Sequence, residues 1–163
     1  MAMYEVSPKV EPRNQSTSAT CWLSCLEMLF AWKKKDPSTI CDLIDQNTEL
    51  FSSQLCQYGI LPEECQPVAR ALGLRWTGGG DIEADVLYEA LKAHGPYWIG
   101  GQWYLHRSHA LVLTGVDPDT NKIKYINPYN NFSLEDSSGT ISWLNDNRGD
   151  AWKQSGSGLM YWL

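Results

Sequence analysis

The sequence predicts an α+β fold, a helical first half followed by an antiparallel sheet. Two observations carry this. Ahead of the Gly78-Gly79-Gly80 run, apolar residues recur at helical spacing. Beyond about Pro96 they fall in short β-rich runs divided by Gly, Pro, Asp and Asn. With 163 residues, 43% hydrophobic and 20% charged, the chain is expected to be one domain spanning 1–163, with 1–14 as an extended N-terminal segment.

Met1 to Ser18 carries Pro8, Pro12 and many Ser and Thr, and reads as extended or loop. From Ala19 to about Lys33 the apolar residues Cys21, Trp22, Cys25, Leu26, Met28, Leu29, Phe30 and Trp32 cover most of a helical wheel, with Ser24 and Glu27 as polar exceptions. A helix apolar nearly all round packs on several sides, so it should be central. Asp36-Pro37 starts a second helix carrying Ile40, Leu43 and Ile44. A further helical stretch is expected over Thr48–Tyr58, stopped by Gly59. Leu61-Pro62-Glu63-Glu64 restarts a helix that Gly73 ends, and Asp81 to His94 forms another, stopped by Gly95-Pro96.

The runs Tyr97-Trp98-Ile99, Ala110 to Thr114 and Lys122 to Ile126 read as strands, with Asp117-Pro118-Asp119 as a turn. Short strands near Thr140–Trp143 and Gly158–Leu163 are expected to complete the sheet. Eight Trp and eight Tyr suggest a core or cleft built from rings.

Charge and composition exclude several functions. Thirteen Lys and Arg against nineteen Asp and Glu leave a net charge of −6, and Lys33-Lys34-Lys35 is too short to supply a nucleic-acid footprint. No apolar stretch approaches the ~20 residues of a membrane span. Met1 to Pro12 has no signal-type apolar stretch, so a cytoplasmic location, or secretion without a cleavable signal peptide, is expected. Five cysteines is an odd number with no CxxC. The expectation is that Cys41, Cys56 and Cys65 are buried small hydrophobes in a reducing compartment and that at least one cysteine is free for chemistry.

The chemistry concentrates in Gln15-Ser16-Thr17-Ser18-Ala19-Thr20-Cys21-Trp22. It places a cysteine at the first turn of the central helix, where the partial positive charge favours a thiolate. Gln15, on the loop leading in, is placed to fold its amide beside the thiol and form an oxyanion hole with the Cys21 N–H. Ser108-His109-Ala110 supplies a proton carrier at the start of an apolar strand, and Asn127-Pro128 ends the next strand, where a side-chain amide can orient the imidazole. Three rivals stand beside these: Cys25 for the nucleophile, His106 for the base and Asp117 for the orienting residue. Cys25 has no glutamine at the upstream spacing, His106 reads as a hairpin tip, and Asp117 reads as part of a tight turn.

Gln15, Cys21-Trp22, His109 opening a hydrophobic strand and then Asn127-Pro128 resemble, in that order, the papain-like cysteine peptidase superfamily. The His-Ala-Leu-Val-Leu-Thr-Gly strand and the Asn-Pro after it are most similar to its compact bacterial branches, the C39-like peptidases and the effector proteases of the AvrRpt2 type. The resemblance covers about Gln15 to Tyr129. The sequence lacks the Gly and Cys that precede the nucleophile in papain itself, and the Asn-Ser-Trp after the third residue. Asn127 also stands where Asp is common in the C39-like branch.

The resemblance implies a papain-like α+β fold, with the helical half packed on the sheet and a cleft between them. It implies Cys21 as nucleophile, His109 as general acid and base, Asn127 as orienting residue and Gln15 as oxyanion donor, with no metal or organic cofactor. The expected activity is hydrolysis of peptide or related amide bonds through a thioester. Deamidation, transglutamination, peptidoglycan amide cleavage and a non-catalytic binding role are the alternatives on the same scaffold. Expected partners are a protein or peptide substrate and, for a secreted toxin, an immunity or inhibitor protein; no nucleic acid and no membrane is expected.

Overall fold

Helix α1 (Cys21–Trp32) is wrapped by the rest of the chain, as its nearly all-round apolar surface requires. Trp22, Cys25, Leu26, Met28, Leu29 and Phe30 are almost wholly excluded from solvent in this computed structural model, which describes residues 3–17, 19–47, 56, 59–78, 80–104, 107–129, 137–154 and 158–163. Ser24, a polar exception on the wheel, is buried too, and its hydroxyl donates to the Asn14 carbonyl at 3.3 Å.

Asp36 caps the next segment: its carboxylate accepts from the Ser38 N–H at 2.9 Å, and Pro37 opens a 3-10 turn that runs into α2 (Ile40–Gln46). Pro62 likewise opens a 3-10 turn leading into α3 (Cys65–Leu72), which Gly73 ends at φ +75°. α4 (Ala84–His94) ends at Gly95, at φ +85°, where a Cβ would lie 2.3 Å from the Trp32 ring. The helix expected over Thr48–Tyr58 lies outside the described residues, Cys56 apart.

Among the described residues seven strands form one antiparallel sheet in the order β2 (Arg75–Thr77), β7 (Leu159–Tyr161), β3 (Tyr97–Tyr104), β4 (Arg107–Asp117), β5 (Lys122–Ile126) and β6 (Ser137–Thr140), with β1 (Tyr4–Glu5) pairing on β4. In register, Gly101 stands opposite His109 and Val112 opposite Ile126. Trp98 ties β3 to α1 by donating its indole N–H to the Trp22 carbonyl at 3.0 Å, and Trp162 does the same to Leu29 at 2.9 Å. Each bond satisfies a polar atom that the buried ring would otherwise strand.

Two expectations are corrected. The stretch Thr140–Trp143 is not a strand. β6 stops at Thr140, whose hydroxyl accepts from the Trp143 N–H at 3.0 Å and so caps α5 (Ile141–Asp146), and α6 (Asp150–Gln154) follows. Cys41 and Cys56 are not buried free thiols: both are half-buried and joined in a disulfide, while Cys21, Cys25 and Cys65 are free and buried. No helix among the described residues is long and apolar enough to cross a membrane.

Candidate active site

Cys21 is the first residue of α1, and the residue before it leaves the helix end open. Thr20 makes no capping bond to α1. Its hydroxyl instead accepts from the Thr17 N–H at 3.1 Å and closes the turn ahead of the helix. The first N–H groups of the helix are thereby left without a side-chain partner from the cap, and those of Cys21 and Trp22 face the Cys21 sulfur together with the Ala110 N–H from β4.

That last contact sets the sulfur against the peptide following His109. Cys21 and His109 line one cavity of about 80 Å³, whose walls include Gly59, Ile60, Trp98 and Trp152. The sulfur sits at its edge with 7% of Cys21 exposed, whereas Cys25 one turn on is sealed.

His109 and Asn127 come together because β4 and β5 are antiparallel neighbours and Asn127 directly follows β5. The His109 Nε2 and Asn127 Oδ1 atoms are 2.7 Å apart. The same Oδ1 accepts from the Tyr129 backbone N–H at 3.0 Å. An atom that accepts from an amide N–H is the carbonyl oxygen of the side chain, so Nε2 must be the donor in the bond to His109. In the neutral ring Nδ1 then carries the lone pair and is the basic nitrogen.

Burial dominates the electrostatics. It pushes the Cys21 thiol up, and the Ala110, Trp22 and Cys21 amides pull it partly back. Burial pushes His109 below its ordinary 6.5, against its hydrogen bond to Asn127, which raises it. Both directions favour a neutral thiol beside a neutral imidazole. Such a pair can transfer the thiol proton to Nδ1 as the sulfur bonds to carbon.

Gln15 was expected to hold its amide beside the thiol. Its side-chain NH₂ donates to the Thr17 carbonyl at 2.8 Å, and among the described residues Oε1 is buried with no hydrogen-bond partner and Gln15 is not in the wall of the cavity that Cys21 and His109 share. Its backbone is tied to the other side of the site, the Gln15 N–H donating to the Pro128 carbonyl at 3.0 Å. His106 lies outside the described residues. Asp117 closes its own turn by accepting from the Asp119 N–H at 3.0 Å. Among the described residues no three His, Cys, Asp or Glu side chains gather as a metal ion would require.

Sequence reading missed Trp152, Gly59 and Ile60 as cavity walls. Trp152 sits on a short helix that followed a misread strand, and Gly59 read only as a helix stop. The one available signal was Thr140, a hydroxyl three residues before the N–H that it caps.

Comparison with known proteins agrees with this architecture. The crystal structure described as a C39-like peptidase from Bacillus anthracis superposes with a TM-score of 0.64 at 17% identity, covering 98% of this chain and 96% of that one. A search of curated proteins finds no match. The family model for the papain-like cysteine protease AvrRpt2 matches residues 4–148, which include Cys21, His109 and Asn127. The chain belongs to this papain-like cysteine protease family.

Proposed function

We propose that the protease works by acyl transfer from substrate to Cys21 and then to water. The observation that carries the reading is the His109 Nε2 to Asn127 Oδ1 bond at 2.7 Å, beside a cavity that His109 shares with the Cys21 thiol. Asn127 holds the ring with Nε2 as donor. Nδ1 takes the thiol proton while sulfur attacks the carbonyl carbon, and the backbone N–H groups at the open end of α1 receive the developing oxyanion. His109 returns the proton to the leaving amine, and the thioester forms. Water, deprotonated by His109, then releases the acid and restores the thiol. Gln15 adds the second N–H of its amide to the oxyanion, the first being held by the Thr17 carbonyl.

Cys21→Ala is the direct test. Turnover of an unstructured protein substrate should fall by at least ~10³-fold with the fold kept, since a nucleophile and its base act as one unit. Retained turnover in Cys21→Ala would overturn the mechanism. Ammonia release without chain cleavage would reassign the same thioester chemistry to deamidation.

The Cys41–Cys56 disulfide favours a working life outside a reducing cytosol, in keeping with a delivered bacterial effector and a neutralising partner in the producing cell. Alkylation of exported protein with a polymer-tagged maleimide under denaturing, non-reducing conditions should count three thiols rather than five.

A further inference from the structure

A second and larger cavity, of about 460 Å³, lies away from Cys21 between α4 and the β2–β7–β3 end of the sheet. Leu87, Tyr97 and Leu159 form its buried floor, while Ile82, Val86 and Ala90 form its lip. Val86 is 61% exposed, unusual for a valine with apolar neighbours, and marks the open side. The volume falls within the 300–1,000 Å³ range of pockets that bury a ligand group, whereas the cavity beside Cys21 is several times smaller.

The surround is acidic. Asp81 and Glu83 line the cavity, both exposed to solvent. Lys153 bonds Asp81 at 2.6 Å, and among the described residues no cation forms an ion pair with Glu83. The segment is also held rigidly. Buried Asn145 accepts from the Ile82 N–H and donates to the Ile82 carbonyl, both at 2.8 Å, and buried Arg148 donates to the Gly80 carbonyl at 3.1 Å. A preformed apolar hollow under an anionic rim favours one kind of occupant, because cations beside the hollow gain attraction where carboxylates would be repelled.

We propose that this groove is an exosite for the polypeptide substrate, taking one bulky apolar side chain flanked by lysine or arginine. The proposal rests on the reading of the chain as a peptidase. It assigns to α4 the task of holding the substrate at a distance from the bond that is cut.

The test separates binding from cleavage. With Cys21→Ala protein, a fluorescein-labelled Gly-Lys-Phe-Lys-Gly peptide should bind at least tenfold tighter than Gly-Glu-Phe-Glu-Gly by polarisation, and added salt should weaken it. Val86→Arg and Glu83→Lys, both at exposed positions, should each weaken it at least fivefold. With active protein, adding Lys-Phe-Lys through a flexible linker to a cleaved peptide should lower KM at least fivefold at unchanged kcat, and Val86→Arg should cancel that gain while cleaving the short peptide normally. Equal binding of the two peptides, indifference to both substitutions, or a KM unmoved by the added segment would overturn the exosite. So would a dimer in sedimentation that Val86→Arg dissolves, since the groove would then belong to a second copy. If the binding pattern holds and no peptide is cut, the groove stands and the thioester mechanism falls.

Discussion

Gly100 and Trp152 share a space that only one of them can fill: a Cβ on Gly100 would lie 2.4 Å from the Trp152 ring. The missing side chain on β3 is what lets the indole lie against the strand and form one wall of the cavity beside Cys21. Gly100→Ala should cost about 1–3 kcal/mol, the usual range for overpacking a filled interior. Thermal unfolding measures that loss. Because the ring must shift, kcat/KM should fall as well, and unchanged kinetics would mean that Trp152 is no wall to the substrate.

The pH dependence follows from His109, whose pKa burial holds below 6.5 against the Asn127 bond. The acid limb of kcat/KM should therefore have its midpoint below pH 6.5. Asn127→Ala removes the contact that raises the pKa, so the midpoint should fall further, while loss of ring orientation lowers the rate by roughly 10- to 100-fold, about 1.4–2.7 kcal/mol. Asn127→Asp places an anion there and should move the midpoint up by about 1–3 units. Stability has a related sign. A depressed folded pKa means that the support from neutral His109 is full above pH 6.5 and lost as the pH falls through the depressed value. The unfolding midpoint of the parent should show that slope, and His109→Gln should flatten it.

Thiol reactivity should rank by access. Cys21 opens on the cavity, whereas Cys25 and Cys65 are fully excluded from solvent and have thiols pushed well up by burial. Iodoacetamide on the native protein should modify Cys21 at least ~100-fold faster than either, by peptide mass spectrometry, with inactivation keeping pace. Comparable labelling of Cys25 would contradict the packing of α1.

The disulfide closes a separation of 15 residues, for which chain entropy gives about 3 kcal/mol. A Cys41→Ser, Cys56→Ser double variant should lose roughly that much and unfold some 6–12 °C lower in calorimetry. Activity should drop before unfolding begins, because Gly59 and Ile60 wall the cavity a few residues after Cys56.

Much of this architecture was legible where a pattern repeats. The apolar surface of Cys21–Trp32 announced a central helix, and Lys122–Ile126 was bounded as observed because turn residues flank it. β3 runs to Tyr104, well beyond the expected Ile99, because Gly100 and Gly101 interrupt the β-rich signal. Those glycines are there for the rings: a Cβ on Gly101 would lie 2.6 Å from Trp103. β1 and β2 span two and three residues, too few to show a period. The disulfide was illegible because an odd cysteine count leaves open any mixture of bonded and free thiols, and a gap of 15 has no signature. At the site, the order Cys, His, Asn pointed to a helix residue and a strand residue that share one cavity, and to an amide that the pairing of β4 with β5 sets against the imidazole. The bond from the Gln15 amide to the Thr17 carbonyl was not legible, since spacing does not say which local acceptor a side-chain NH₂ will take.

The backbone bond from Gln15 to Pro128 joins the stretch ahead of α1 to the end of β5. Anyone recombining this enzyme with a relative should therefore treat the two stretches as a single inherited unit. A chimera that exchanges the leader but keeps the resident Asn-Pro corner risks seating sulfur and imidazole out of alignment, even with every side chain named above still in place.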